Sequence, residues 1–333
     1  MLFEKSVRWF IPALLLAAAC TSCGKDDESG NGGGKTPNPV FWETSAREMM
    51  SLSGPVRSAT TQVVMQGPTE EETGYFFLNS KEFDAQGRLV KYDPIGLSGT
   101  FEYNIPTTVS EYSYDAEGRL SSIKTVDFGA ETEYTLTYGD HDNYVPLPLS
   151  MGDLRIFLVR GLVKVASADG EELLTWEDGK AILTTKSFTG TSRTEITFEN
   201  GYPKSAATTG LVASTTLYTW NEDGSPLRIE ESSDEQRSVT TFSTNVPGYP
   251  VLEESYQPGE DGALLTKVEY LYSDKGDLAK VWCPDSEAAG FFVEQYQDDF
   301  QEFDAYGNWT GALRTYLSTE EQYPLERQIE YFE

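Results

Sequence analysis

From Thr61 onward apolar and polar residues alternate in short runs, and clusters of Gly, Asp, Asn or Pro end a run about every ten residues. A period of two sends successive side chains to opposite faces of an extended chain, so the pattern predicts half-buried β-strands. In Glu133-Tyr134-Thr135-Leu136-Thr137-Tyr138 the rings and the leucine share one face and the polar residues the other. The strands predicted most clearly are 73–83, 131–138, 193–198, 214–220, 265–272, 291–303 and 328–332. Residues 46–50, Ala-Arg-Glu-Met-Met, are the one helical stretch predicted in the body, stopped by Gly54-Pro55.

The runs are joined by a recurring reversal whose fullest form is Tyr112-Ser113-Tyr114-Asp115-Ala116-Glu117-Gly118-Arg119-Leu120. Asp115 suits the first position of a type I turn, where its carboxylate accepts backbone N–H groups. Gly118 supplies the positive φ that lets the strand return. Copies stand at Phe83-Asp84-Ala85-Gln86-Gly87-Arg88-Leu89, Trp220-Asn221-Glu222-Asp223-Gly224, Tyr272-Ser273-Asp274-Lys275-Gly276-Asp277-Leu278 and Phe303-Asp304-Ala305-Tyr306-Gly307-Asn308-Trp309. Asp169-Gly170, Asp178-Gly179, Asn200-Gly201 and Asp261-Gly262 are pairs of the kind that close two-residue hairpins. The fold class expected is therefore all-β, an antiparallel meander of tandem hairpins forming one large curled sheet or partly open barrel. Residues 139–148 interrupt the strands and are too rich in turn formers to be expected to pair, but strands of the same kind resume after them, so 41–333 is taken as one hairpin-repeat domain.

The Tyr-x-Tyr-Asp-x-x-Gly-Arg-Leu form at 112–120 resembles the YD repeat of Rhs-type proteins, in which tandem hairpins roll into a spiralling sheet. With the divergent copies, and with Phe303 to Thr310 followed by Arg327-Gln328-Ile329-Glu330-Tyr331, the chain is similar to cell-surface lipoproteins of Gram-negative gut bacteria. Those proteins carry domains of unknown function with a porin-like curled sheet. The resemblance covers most of 61–333 and implies architecture rather than activity.

The N-terminus supplies an address. Lys5 and Arg8 precede the apolar run 11–19, which is too short to span a bilayer as a stable helix. Thr21-Ser22-Cys23 followed by Gly24-Lys25-Asp26-Asp27-Glu28 resembles a bacterial lipoprotein signal with an export tag. This implies a signal peptide over 1–22, lipidation of Cys23 and an outer-membrane anchor facing the cell exterior. Cys20, behind Ala17-Ala18-Ala19, is the competing lipidation site. Residues 23–40, rich in glycine, are expected to be a flexible tether.

Charge narrows the partners. With 54 Asp and Glu against 25 Lys and Arg, the formal charge of -29 repels phosphate backbones and excludes nucleic acid, leaving membrane contact only through the N-terminal lipid. Strands such as Thr191 to Thr197 carry too few apolar residues on either face to be expected in a membrane-spanning barrel. Cys283 is the one cysteine of the body, so no disulfide framework is available.

The candidate chemistry is sparse. His141 is the single histidine, so any nucleophile–histidine pair must use it, and no nucleophile motif or cofactor-binding spacing accompanies it. No cofactor is expected. Asp140, Asp142 and Asn143 offer oxygens at close spacing for a weak calcium site, without the glycine and terminal glutamate of an EF-hand loop. A glycoside hydrolase needs two carboxyls at a fixed separation, and the many acids mark out no pair. Aromatic residues are abundant, and Trp176, Trp220, Trp282 and Trp309, all near turns, are the rings expected to stack on a sugar if any do. The function expected is a non-catalytic binding module for an extracellular glycan or protein. The alternatives are a structural or assembly component of the envelope and, behind it, a glycan-active enzyme.

Overall fold

The structure, a computed structural model, describes residues 41–333 apart from 66–73, 95, 99–107, 128, 153, 188–189, 260–261 and 285–294. The signal, the tether and Cys23 lie outside the described residues. A 3-10 turn (Phe41–Glu43) and α1 (Ala46–Met49) lead into β1 (Val56–Met65), β2 (Gly74–Phe83), β3 (Leu89–Asp93), the short β4 (Gly96–Ser98), β5 (Val109–Tyr114), β6 (Leu120–Asp127) and β7 (Ala130–Tyr138). An inserted hairpin follows, β8 (Tyr144–Pro146) with β9 (Leu158–Arg160). The meander resumes with β10 (Leu162–Ser167), β11 (Glu172–Glu177), β12 (Lys180–Ser187), β13 (Gly190–Glu199), β14 (Tyr202–Thr209), β15 (Ser214–Trp220) and β16 (Pro226–Ser233). It ends with β17 (Arg237–Phe242), β18 (Pro250–Tyr256), β19 (Leu264–Tyr272), β20 (Leu278–Trp282), β21 (Tyr296–Phe303), β22 (Trp309–Tyr316) and β23 (Gln322–Tyr331).

Successive strands pair antiparallel around the whole circuit. β7 joins β10 across the insertion, and β3 and β4 share one place beside β2. β23 then returns to β1, with Ala59 opposite Ile329 and Val63 opposite Leu325. The sheet is a closed barrel of twenty strand positions. The expected curled or partly open sheet is corrected here: the pairing of β1 with β23 removes the two edges that a meander would otherwise expose. Residues 139–148 also depart from expectation, because Tyr144–Pro146 does pair, with Leu158–Arg160.

The five repeat turns have one geometry. In the first, the Asp84 N–H donates to the Arg88 carbonyl (3.0 Å) and the Gly87 N–H to the Asp84 carbonyl (2.9 Å), and the same two bonds recur at 115–119, 221–225, 273–277 and 304–308. The glycine φ values lie between +78° and +88°, a region that L side chains rarely adopt. The strand register shifts at Phe83, Tyr114, Trp220, Tyr272 and Phe303, so each motif aromatic sits on a bulge at the mouth of its turn. The carboxylates of Asp84, Asp115 and Asp304, or the hydroxyl of Ser273, accept N–H groups inside the turn. Asp178-Gly179 and Asn200-Gly201 are two-residue turns with positive φ at both positions, as predicted. Asp169-Gly170 belongs to a longer turn closed by the Ser167 N–H on the Glu171 carbonyl (2.8 Å).

Partial desolvation works against ionisation of Asp115 and Asp304. Bonds from Arg119 to Asp115, and from Tyr331 and Asn308 to Asp304, nonetheless hold both carboxyls below the ordinary aspartate range. A carboxyl depressed in the folded state stabilises it fully above its unfolded pKa and loses that contribution as pH falls through the folded value. Urea midpoints are therefore expected to hold above about pH 4 and to fall below it, less steeply in Asp304→Asn. A midpoint flat down to about pH 2 would remove the turn aspartates as a source of stability.

Inside and outside alternate most clearly on β7, whereas β12 and β17 bury successive residues. On β7 the inward residues Thr132, Tyr134, Leu136 and Tyr138 are buried or half-buried, whereas Glu131, Glu133, Thr135 and Thr137 are exposed. Outward positions carry cross-strand ion pairs, Lys124 with Glu131 (2.9 Å), Lys180 with Glu195 (2.8 Å) and Arg193 with Glu177 (2.9 Å). On a lipid-facing surface the cationic members of these pairs would each cost about 2–4 kcal/mol at mid-membrane, so these positions favour water.

All five repeat turns, the inserted hairpin, the loop 243–249, the entry of β1 and the end of β23 lie at one rim. That rim is plugged. Ala46, Met50 and Leu52 from the N-terminal segment, and Val145, Leu147, Met151 and Val159 from the insertion, join Leu89, Ile123, Leu162, Val165, Leu174 and Ile196 of the wall in one buried cluster. The wall formed by the last strands also buries ion pairs: Arg314 pairs with Asp298 and Arg327 with Asp277 of the 273–277 turn, all four side chains buried or nearly so.

Candidate functional site

The plugged rim gathers the side chains with the most chemistry. Ser45 caps α1 and makes a reciprocal box with Glu48, which fixes the direction in which the N-terminal segment crosses the opening. The segment is strapped to three repeat turns. Phe41 N–H and Trp42 Nε1 donate to the carbonyls of Asp223 (3.0 Å) and Gly224 (2.8 Å), and Arg47 N–H to that of Gly87 (3.0 Å). Ser53 and the Asn308 amide exchange two bonds, 2.7 and 2.9 Å. A side chain at Gly224 would collide with the Tyr202 ring, so the packing of Tyr202 against this turn needs glycine there for space as well as for φ.

Beside the strap lies a cleft of about 790 Å3, bounded by the turns at 86–88 and 117–119 and the base of the inserted hairpin. Its floor repeats one module. Arg88 lies over the Tyr114 ring (4.5 Å) with Nε held by the Asp84 carboxylate (2.6 Å), and the Tyr114 hydroxyl donates to the Leu89 carbonyl (2.7 Å). One hairpin on, Arg119 lies over Tyr138 (4.6 Å) with Nε on Asp115 (2.8 Å), and the Tyr138 hydroxyl donates to the Leu120 carbonyl (2.7 Å). The third guanidinium, Arg160, bridges Asp142 (2.7 Å) and Glu43 (3.3 Å), and Glu43 also accepts from the Tyr144 hydroxyl (2.7 Å).

The protonation states are fixed by these contacts. Burial, reinforced by Asp84, Asp115 and Glu43, pushes the phenols of Tyr114, Tyr138 and Tyr144 well above the ordinary tyrosine range, so all three stay neutral. Bonds to Asp115 and Asp142 raise Arg119 and Arg160. The cleft thus presents three planar cations already compensated by carboxylates, held by rings beneath or acids beside them.

The residues expected from sequence fall elsewhere. Trp309 is 3% exposed, donates from Nε1 to Asp277 (2.9 Å) and lies under the Arg327 guanidinium (3.8 Å). It is corrected from candidate ligand ring to core. Trp176 is half-buried, stacked on His141 (4.1 Å) and on Phe198 (5.3 Å). Trp220 is half-buried, donates to the Pro203 carbonyl (2.6 Å) and stacks on Tyr218. Trp282, 42% exposed, stands on the outer wall beneath Lys280. The four rings, on β11, β15, β20 and β22, do not converge.

His141 lies at the cleft, its Nδ1 accepting the Asn143 N–H (3.2 Å), and burial lowers its pKa. Asp142, a candidate calcium ligand with Asp140 and Asn143, has an oxygen committed to Arg160, and among the described residues no group of three His, Cys, Asp or Glu is placed to hold a metal ion. Cys283 is buried. Arg88 and Arg119 were visible in the motif, but as part of its consensus. The available signal was that Gly-Arg-Leu occurs in only two of the five copies, at neighbouring turns.

No protein-family model and no curated protein matches the chain. Among solved structures it is similar to a porin-like protein from Bacteroides uniformis ATCC 8492, with 11% identity over 84% of this chain and 99% of that one, at a TM-score of 0.32. It is also similar to a Tc holotoxin pore from Photorhabdus luminescens, with 10% identity over 75% of this chain and 19% of that one, at a TM-score of 0.17. At such TM-scores neither likeness bears on what this chain does.

Proposed function

We propose that this chain is a non-catalytic binding module, held at the outer membrane by a lipid on Cys23 and displayed to the exterior, whose seat for an extracellular glycan is the cleft at the plugged rim. The observation that carries this is the paired Arg–Tyr–Asp module. The two guanidinium side chains are 31% and 50% exposed at the cleft, and the position of each is set by a ring below and a carboxylate behind, which lowers the ordering cost of binding. The cleft volume falls within the roughly 300–1,000 Å3 usual for ligand sites. Hydrolysis of a glycan would need free carboxyls facing each other across the sugar. Asp84, Asp115, Asp142, Glu43 and Glu117 are each within 4 Å of an arginine, which leaves Asp140 as a single carboxyl where such hydrolysis needs two.

Calorimetric titration of the full chain against soluble polysaccharides is expected to find saturable binding that Arg88→Ala with Arg119→Ala weakens by at least roughly tenfold, the worth of one lost charged hydrogen bond. Binding indifferent to both changes would remove the cleft as its seat. For the anchor, incorporation of labelled palmitate is expected to vanish in Cys23→Ala and persist in Cys20→Ala; persistence in Cys23→Ala overturns that assignment.

A second reading, an assembly component of the envelope, is favoured by Leu271 and Trp282, 59% and 42% exposed on adjoining strands of the outer wall. Co-purification with envelope proteins, and no glycan binding, would select it.

A further inference from the structure

We infer that the glycan taken by this cleft is charge-neutral, recognised by hydrogen bonds to its hydroxyls rather than by ring stacking or by attraction to acidic groups. The inference rests on the cleft being the binding seat, and adds the ligand's chemical class.

The first ground is electrostatic. Three guanidinium groups, Arg88, Arg119 and Arg160, meet four carboxylates in the lining, Glu43, Glu117, Asp140 and Asp142, and two more, Asp84 and Asp115, stand directly behind. Each arginine is within 2.8 Å of a carboxylate oxygen. A uronate or sulfate would have to compete with those partners in a site whose sum is negative, on a chain of formal charge -29. Arginine in such a cleft is therefore not an anion trap. It is a fork of donors fixed beside acceptors.

The second ground is the covering of the rings. Tyr114 and Tyr138 carry a guanidinium over one face, and Trp42 and Tyr144 are 6% and 7% exposed, Tyr144 stacked on Tyr202 (5.0 Å). A sugar entering here meets guanidinium donors with carboxylate acceptors beside them. A hydroxyl donates and accepts at once, so hydroxyls on a neutral ring match such pairs, whereas a carboxylate can only accept. Binding of this kind exchanges no net charge and responds weakly to salt.

The test uses the full chain in detergent with glucose, mannose and xylose oligomers and an oligogalacturonate of matching length. Expected is binding of a neutral oligomer whose Kd changes less than about threefold between roughly 50 and 500 mM NaCl. It should weaken at least roughly tenfold in Arg119→Ala. Gln86→Trp, at an exposed rim position, fills the opening at the cost only of the long 3.4 Å bond from the Arg88 guanidinium to the Gln86 amide oxygen, and is expected to abolish binding with the melting temperature retained. Oligogalacturonate as the better ligand, lost with salt and in Gln86→Trp, overturns the neutral class and leaves the cleft as the seat. Binding of any oligomer that survives both Arg119→Ala and Gln86→Trp overturns the cleft itself. No binding to any oligomer, with capture of a protein partner, overturns the glycan reading altogether.

Discussion

Replacing Arg314 by methionine is expected to lower the stability of the barrel by about 3–5 kcal/mol, the cost of stranding one member of a buried ion pair. The Arg314 and Asp298 side chains are 9% and 4% exposed and joined by two bonds of 2.8 Å, with the Tyr296 ring 3.6 Å from the guanidinium. Burial works against the charge on Arg314, but Asp298 and the neighbouring tyrosines hold it firmly protonated. Without it, the carboxylate keeps its burial and loses its counter-charge. Removing both, in Arg314→Met with Asp298→Leu, is expected to recover most of the loss, since apolar groups of similar volume carry no desolvation penalty. Urea denaturation of both single variants and the double one reads the coupling. A single-variant loss below about 1 kcal/mol would show that water reaches this part of the wall and screens the pair.

Deleting residues 322–333, which comprise β23 and the two residues after it, is expected to leave no monodisperse monomer. The deletion opens the circuit at both faces of the lost strand, baring β1 from Val56 to Val63 and β22 from Gly311 to Thr315. It also takes away Leu325, 2% exposed between Ala312 and Val63, and the Arg327 that covers Trp309 and binds Asp277. Each such buried aliphatic contributes about 1.5–3 kcal/mol, but the larger loss is of edge protection, because unpaired strands rich in Val and Thr recruit each other. Size-exclusion chromatography with light scattering should show aggregate at every concentration that yields soluble full-length protein. A shortened chain that runs as a monomer and melts where the parent does would mean that closure contributes little.

The local rules of this fold were legible, because each is carried by residues close in sequence. Asp115 to Arg119 contains everything its turn needs, an acceptor at the first position and glycine where φ is positive, and Ser45 to Glu48 contains a complete helix cap. Closure was not legible. Ser58 and Glu330 meet 272 residues apart, and nothing in either strand marks the other. The inserted hairpin escaped for a related reason: Tyr144 N–H finds its acceptor on Gly201, so a segment that looks like a break is paired by groups its own sequence does not supply.

The tryptophans misled because indole is enriched both in binding grooves and in cores. The indole N–H of Trp309 is answered by Asp277, a turn residue 32 positions earlier. For the cleft, the sequence offered Arg88 and Arg119 but not their convergence, which depends on their hairpins standing side by side in the wall.

The strap that crosses the opening also acts as a gauge of girth. Its residues 41–53 reach the turns at 84–88, 221–225 and 304–308 at once, so its span is matched to one circumference. Inserting a single hairpin would lengthen that circumference by two strand spacings, about 9–10 Å, and pull at least one of those handholds out of reach. A chain of this design gains or loses repeats only if the thirteen residues at its entrance are resized in step.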